Sequence, residues 1–161
     1  MTNVTVCADD FGLTSGISSG ILTCLERRRI SATSCMTARA TWLDRVAELR
    51  PFAGIADIGL HFTLTDLEPV GTAPILAPHG RFPPLSHVLR LSLTRRLPQD
   101  EIREQLARQL DAFEREFGSP PAHLDGTITS TSFRACGKSS LKWYGTAIRR
   151  IHPTSESVTM R

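Results

Sequence analysis

Three short apolar runs, at residues 3–8, 32–36 and 55–64, alternate with two stretches of helical periodicity, and this alternation leaves few folds open. In the first helical stretch Ile17, Ile21, Leu22 and Leu25 fall on one face, with Thr14 or Ser15 available as the N-cap. Gly16 and Gly20 share a side of that helix and are expected to let it lie close against a sheet. In the second, Trp42, Leu43, Val46 and Leu49 mark an amphipathic helix that Pro51 ends. Strand, helix, strand, helix, strand is the pattern of a parallel sheet with crossover helices, so the chain is of the α/β class.

The third run is the most informative. Alternation puts Ile58, Leu60, Phe62 and Leu64 on one face, and Gly59, His61, Thr63 and Thr65 on the other. One face suits packing under helices; the other is small and polar with one imidazole, as in the mouth of a barrel. Taken alone, His61 also reads as a core histidine bonded to a backbone carbonyl.

Two carboxylates, Asp9 and Asp10, stand where the first run stops, just before Gly12. A parallel strand that ends this way is where α/β enzymes place catalytic groups. Strict alternation puts Asp9, not Asp10, on the side that matches His61. Asp10 reaches that side only if the chain has already left strand geometry.

Residues 66–84 hold five prolines and two glycines without periodicity, and are expected to form a loop that shapes a pocket or a dimer contact. His79 and His87, in or just after it, read as exposed. A weak helix is expected at 85–93. A strong one follows at 98–117, where Ile102, Leu106, Leu110, Phe113 and Phe117 recur at helical spacing and Gly118 supplies the stop. His123-Leu124-Asp125 then reads as a further strand whose His and Asp share a face.

Composition excludes several classes. A net charge of +3 is too small to imply a nucleic-acid partner, and Arg27-Arg28-Arg29 sits where a helix ends and complements its dipole. No apolar run is long enough to span a bilayer and no signal-peptide pattern opens the chain, so a cytoplasmic protein is expected. Cys7, Cys24, Cys35 and Cys136 lack metal-knuckle or redox spacing, and the first three read as buried thiols.

Ala8-Asp9-Asp10-Phe11-Gly12, Gly59-Leu60-His61-Phe62-Thr63-Leu64-Thr65 and Pro121-Ala122-His123-Leu124-Asp125-Gly126 occur in series. Together they resemble the YdjC/ChbG-like carbohydrate deacetylases, including the branch associated with hopanoid biosynthesis. The resemblance implies a (β/α) barrel-like fold and hydrolysis of the N-acetyl group of an amino sugar or oligosaccharide. It also implies a divalent metal ion, Mg²⁺ or Zn²⁺. Asp10 and His61 fall on metal-ligand positions and Asp9 on that of the general base, while Phe11, His123 and Asp125 are candidate substrate contacts. The family continues with a His-x-His-x-His run whose first histidine is another ligand; here that position is Thr127, and no histidine appears before His152.

Composition shifts at the same point. Both lysines, Lys138 and Lys142, and the single tyrosine, Tyr144, lie beyond residue 126. If one C is restored after the Gly126 codon, compatible codons can read His-His-His-Val-His-Gln-Leu-Pro, the family's run. Residues 1–126 are thus expected to be a partial deacetylase domain, and 127–161 an out-of-frame tail; a genuine short variant is the alternative. Such a chain should bind metal weakly, expose a sheet edge through which it dimerises or aggregates, and retain little or no activity. A non-catalytic remnant acting as an association module is the competing class.

Two other enzyme readings fail on position. Gly16-Ile17-Ser18-Ser19-Gly20 matches G-x-S-x-G, but Ser18 lies inside a helix and not on the turn after a strand. Adjacent carboxylates such as Asp9 and Asp10 seldom straddle a glycosidic bond from opposite sides.

Overall fold

The computed structural model describes residues 4–126; the reading of residues 127–161 as an out-of-frame tail, and with it Thr127, lies outside them. Four parallel strands form one sheet in the order β1 (Cys7–Phe11), β2 (Ala32–Cys35), β3 (Asp57–Phe62), β4 (Leu124–Gly126). Helix α1 (Ser15–Glu26) crosses from β1 to β2. A short α2 (Ala40–Arg45), continued by a 3-10 helix over Val46–Phe52, crosses from β2 to β3. The long connection to β4 carries α3 (Leu85–Leu93) and α4 (Gln99–Phe117). The α/β class and parallel order read from the alternation are those observed.

The elements depart from expectation in instructive ways. The first strand starts and ends later than residues 3–8, so the acidic pair lies within it; Val4 and Val6 are 78% and 51% exposed and lead up to the sheet at its border. Thr14 caps α1 by accepting from the Ile17 amide, but the helix is turned so that Ser18 is buried and Ile17 half-exposed. Gly16 and Gly20 therefore face open space and make no close approach to the sheet. Pro51 does not end the helix but lies within the 3-10 segment, and Leu43 is exposed while Trp42, Val46 and Leu49 are buried. Of the three described cysteines, all reduced, only Cys35 is fully buried.

Helix α4 matches its periodicity: Ile102, Leu106, Leu110, Phe113 and Phe117 are all buried, and Gly118 ends it in the left-handed region at φ 93°. Phe113 stacks on Trp42 at 5.4 Å, and Trp42 meets Phe11 edge-on at 6.4 Å. This aromatic row joins the end of β1 to α4 beneath the sheet.

A second stripe of α4 was not anticipated. Glu101, Gln105 and Gln109, spaced by four, are buried and fasten the chain that follows β3. Gln109 accepts from the Thr63 amide (3.0 Å) and donates to the Thr63 carbonyl (2.9 Å). Gln105 does the same for Val70, at 3.2 Å in each direction, and Glu101 accepts from the Ile75 and Leu76 amides. The side chains supply the partners that a neighbouring strand would otherwise give, which is how a proline-rich loop can be partly buried.

Candidate active site

The site is built at the carboxyl ends of the strands. Ala8 pairs with Thr33 and Phe11 with Cys35, so two residues, Asp9 and Asp10, oppose the single Ser34. This is a β-bulge, and it breaks the alternation. Asp10 is held at φ 72°, a region that L-residues other than Asn and Asp rarely enter. The expected departure from strand geometry is therefore real, and both carboxylates reach the side of the sheet that carries His61.

The turn that follows is pinned. Gly12 adopts φ 92°, and a Cβ there would lie 3.1 Å from the Met36 carbonyl oxygen. Its amide donates to Ser18 Oγ (3.0 Å), and Ser18 in turn donates to the Thr14 carbonyl (2.9 Å). Ser18 is fully buried, so it is a strut for the acidic turn and not a nucleophile.

His61, buried, is flanked on both ring nitrogens. Nε2 lies 3.5 Å from Asp10 Oδ1. Nδ1 lies 2.9 Å from Asp125 Oδ1 and 3.2 Å from Ser34 Oγ. Ser34 also donates to Asp9 Oδ1 at 3.2 Å, tying the exposed Asp9 to the buried imidazole. Burial works against the charged form of His61, but the Asp125 carboxylate, followed by the charges of Asp10 and Asp9, outweighs it and raises the pKa above its ordinary value. Burial, with the Asp125 and Cys7 charges, pushes the Cys35 thiol well up, so it stays protonated.

Asp125 is the register partner of His61 on β4. Its Oδ1 is buried and faces the His61 ring from the Nδ1 side. A buried imidazole with three carboxylates gathered around it is a donor set that suits a cation. Asp9, His61 and Asp125 each offer an atom within 4.8 Å of the others. The residues present thus fit a divalent ion.

His123 lies across Gly59, where a Cβ would come within 2.4 Å of the ring Nε2. Only glycine leaves space for it. Phe11, expected among the substrate contacts, is fully buried on the opposite face of the sheet against Trp42, and supports the acidic turn from behind. His79 is exposed and His87 half-buried, and neither belongs to this cluster. Sequence reasoning missed Ser34, which carries no motif signal beyond its strand position opposite the acidic pair.

A parallel α/β sheet with carboxylates and an imidazole gathered at its carboxyl end defines the class of enzyme-like α/β proteins. Within that class the chain belongs to the YdjC-like protein family, whose sequence profile matches residues 3–134. It is 36% identical over 121 residues to a chitooligosaccharide deacetylase of Serratia marcescens, a match covering 74% of this chain and 47% of that protein. A chitooligosaccharide deacetylase of Proteus mirabilis is 34% identical over 120 residues, covering 74% and 46%. The chain spans about half the length of the curated relatives it matches. A solved structure from Enterococcus faecalis V583, named as a cellobiose-phosphate cleavage protein, shares the fold with a TM-score of 0.68 at 23% identity, over 91% of this chain and 54% of that one. Among the described residues no helix is long and apolar enough to cross a membrane.

Proposed function

We propose that this chain carries the first part of the catalytic site of a metal-dependent carbohydrate deacetylase, which hydrolyses the N-acetyl group of an amino sugar or oligosaccharide. The observation that carries this reading is the convergence of Asp9, Asp10 and Asp125 on His61 in a member of the YdjC-like family. The four parallel strands are read as the opening part of a (β/α) barrel-like sheet.

Asp10 and His61 Nε2, 3.5 Å apart, would hold the ion, Mg²⁺ or Zn²⁺. When bound, such an ion polarises the amide carbonyl and lowers the pKa of water. Asp125 holds His61 from the Nδ1 side and keeps Nε2 directed at Asp10, as carboxylates behind metal-binding histidines do. Asp9, exposed and oriented by Ser34, is the general base: it takes a proton from the water that attacks the acetyl carbon. The C–N bond then breaks as the proton taken by Asp9 passes to the leaving nitrogen, releasing acetate and the free amine. His123 and Asp125 border the space in which the sugar would lie.

Thr127 stands where the family supplies a further histidine ligand, so the ion is held weakly and activity is low. The test is acetate release from chitooligosaccharides by the 161-residue chain and by a Thr127→His variant, with Asp9→Asn as the base-deleted control. Release that rises with Thr127→His and disappears with Asp9→Asn supports the reading; release unaffected by Asp9→Asn overturns it. Resequencing across the Gly126 codon decides whether residues 127–161 are out of frame.

A further inference from the structure

Beside the Asp10–His61 pair lies a second group of donors that the deacetylation reading does not use as ligands. Cys7 Sγ is 3.8 Å from His123 Nε2, and His123 Nε2 is 4.0 Å from Asp125 Oδ2. One atom of each of the three lies within 4.8 Å of the others. All three are partly exposed, so an ion can enter from solvent.

We infer that Cys7, His123 and Asp125 form a second cation site, for a thiophilic ion of the zinc class, adjoining the Asp10–His61 site and sharing Asp125 with it. The ligand types decide the ion. A thiolate with an imidazole favours Zn²⁺ or a similar transition ion over Mg²⁺, which prefers oxygen donors alone. The spacing agrees: tetrahedral zinc with ordinary bond lengths separates a sulfur from a nitrogen ligand, or a nitrogen from an oxygen, by about 3.3–3.6 Å. The observed 3.8 and 4.0 Å need only a small closure.

The scaffold sets each donor in place. Cys7 lies on β1 and its partner residues in the sheet, Ala32 and Asp57, put it on the face that carries Gly59 and His61. Gly59 leaves space for the His123 ring, which brings Nε2 towards Cys7. Asp125 presents Oδ1 to His61 and Oδ2 to His123, so a single carboxylate faces both groups. In the ion-free chain the Cys7 thiol donates to Asp9 Oδ1 at 3.3 Å; binding releases that proton to solvent and leaves the thiolate on the ion. The inference does not depend on the deacetylase reading, because no substrate enters the argument.

The test is a Co²⁺ titration of the reduced full chain, read as the near-ultraviolet thiolate-to-cobalt absorption. An ion held by Asp10 and His61 alone gives no such band. The expected result is a saturating band that survives Asp10→Asn and Cys24→Ser, is lost in Cys7→Ser, and in His123→Ala needs about tenfold more Co²⁺ or higher. Absence of the band, or a band equal in Cys7→Ser, would overturn the site. A second measurement needs no variant: Zn²⁺ should slow iodoacetamide alkylation of Cys7, located by mass spectrometry, while Cys24 in the same sample reacts as before. Equal alkylation of Cys7 with and without Zn²⁺ overturns it as well.

Discussion

Asp10 Oδ1 stands 3.5 Å from His61 Nε2 although their strands are separated by β2, and it does so because a bulge opposite Ser34 holds Asp10 at φ 72°. The contact is thus obtained with a backbone conformation that costs an L-residue about 1–2 kcal/mol. Asp10→Gly should relieve that cost and raise stability by up to about 1 kcal/mol, whereas Asp10→Ala should not. Both should weaken Zn²⁺ binding at the His61 site. Urea unfolding above the His61 titration, paired with calorimetric Zn²⁺ titration, checks both halves; an Asp10→Gly chain no more stable than Asp10→Ala would refute the strain argument.

Gln109 is predicted to be the most costly polar side chain of α4 to remove. Its amide holds both backbone groups of Thr63, where β3 passes into the loop, and the pair is buried. Gln109→Ala leaves those groups without partners and should cost about 2–4 kcal/mol. Glu104→Ala, which removes only the exposed ion pair to Arg108, should cost less than about 1 kcal/mol. Denaturant midpoints of the two variants make the comparison, and equal losses would contradict it.

The parts of this fold that were legible in the sequence are those where one periodicity dominates. Helix α4 has 19 residues of consistent apolar spacing, and β3 alternates cleanly through His61, so their existence, type and inward faces follow directly. The acidic pair was legible as chemistry but not as geometry, because alternation cannot show where a bulge places two residues against one. Helix α1 was turned by a local hydrogen bond: Ser18 holds the Gly12 amide, and this puts a serine where Ile17 was expected to pack. The Glu101, Gln105 and Gln109 stripe resembles solvated surface in any hydropathy reading. Its spacing of four beside the apolar face, opposite a long loop in need of partners, was the available signal.

Ser18 should be inert to serine-directed reagents. Its hydroxyl is buried, donates to Thr14 and accepts from Gly12, and no base adjoins it in either contact. A fluorophosphonate probe should leave it unlabelled, and Ser18→Ala should cost about 1 kcal/mol by loosening the turn that carries Asp10. Labelling of Ser18, detected by peptide mass spectrometry, would reopen the serine-hydrolase reading.

Stability and metal binding should depend on pH in opposite senses through His61. Burial lowers its pKa, but Asp125, then Asp10 and Asp9, raise it further, so the folded value lies above the ordinary 6.5. A group whose pKa is raised on folding contributes stability that is complete below the unfolded value and is lost as pH rises through the folded one. The metal-free chain should therefore lose stability upward from about pH 6.5, and His61→Gln should flatten that slope. An ion on Nε2 requires neutral His61, so protons compete with it: Zn²⁺ should bind more tightly, and stabilise more, as pH rises through the same window. Unfolding midpoints from about pH 6 to 9, with and without Zn²⁺, give the two trends together. In a Cys7→Ser background, which removes the thiolate site, a zinc-induced shift that is flat with pH would exclude His61 as a ligand, while one that grows with pH and vanishes when His61→Gln is added places the ion on this imidazole.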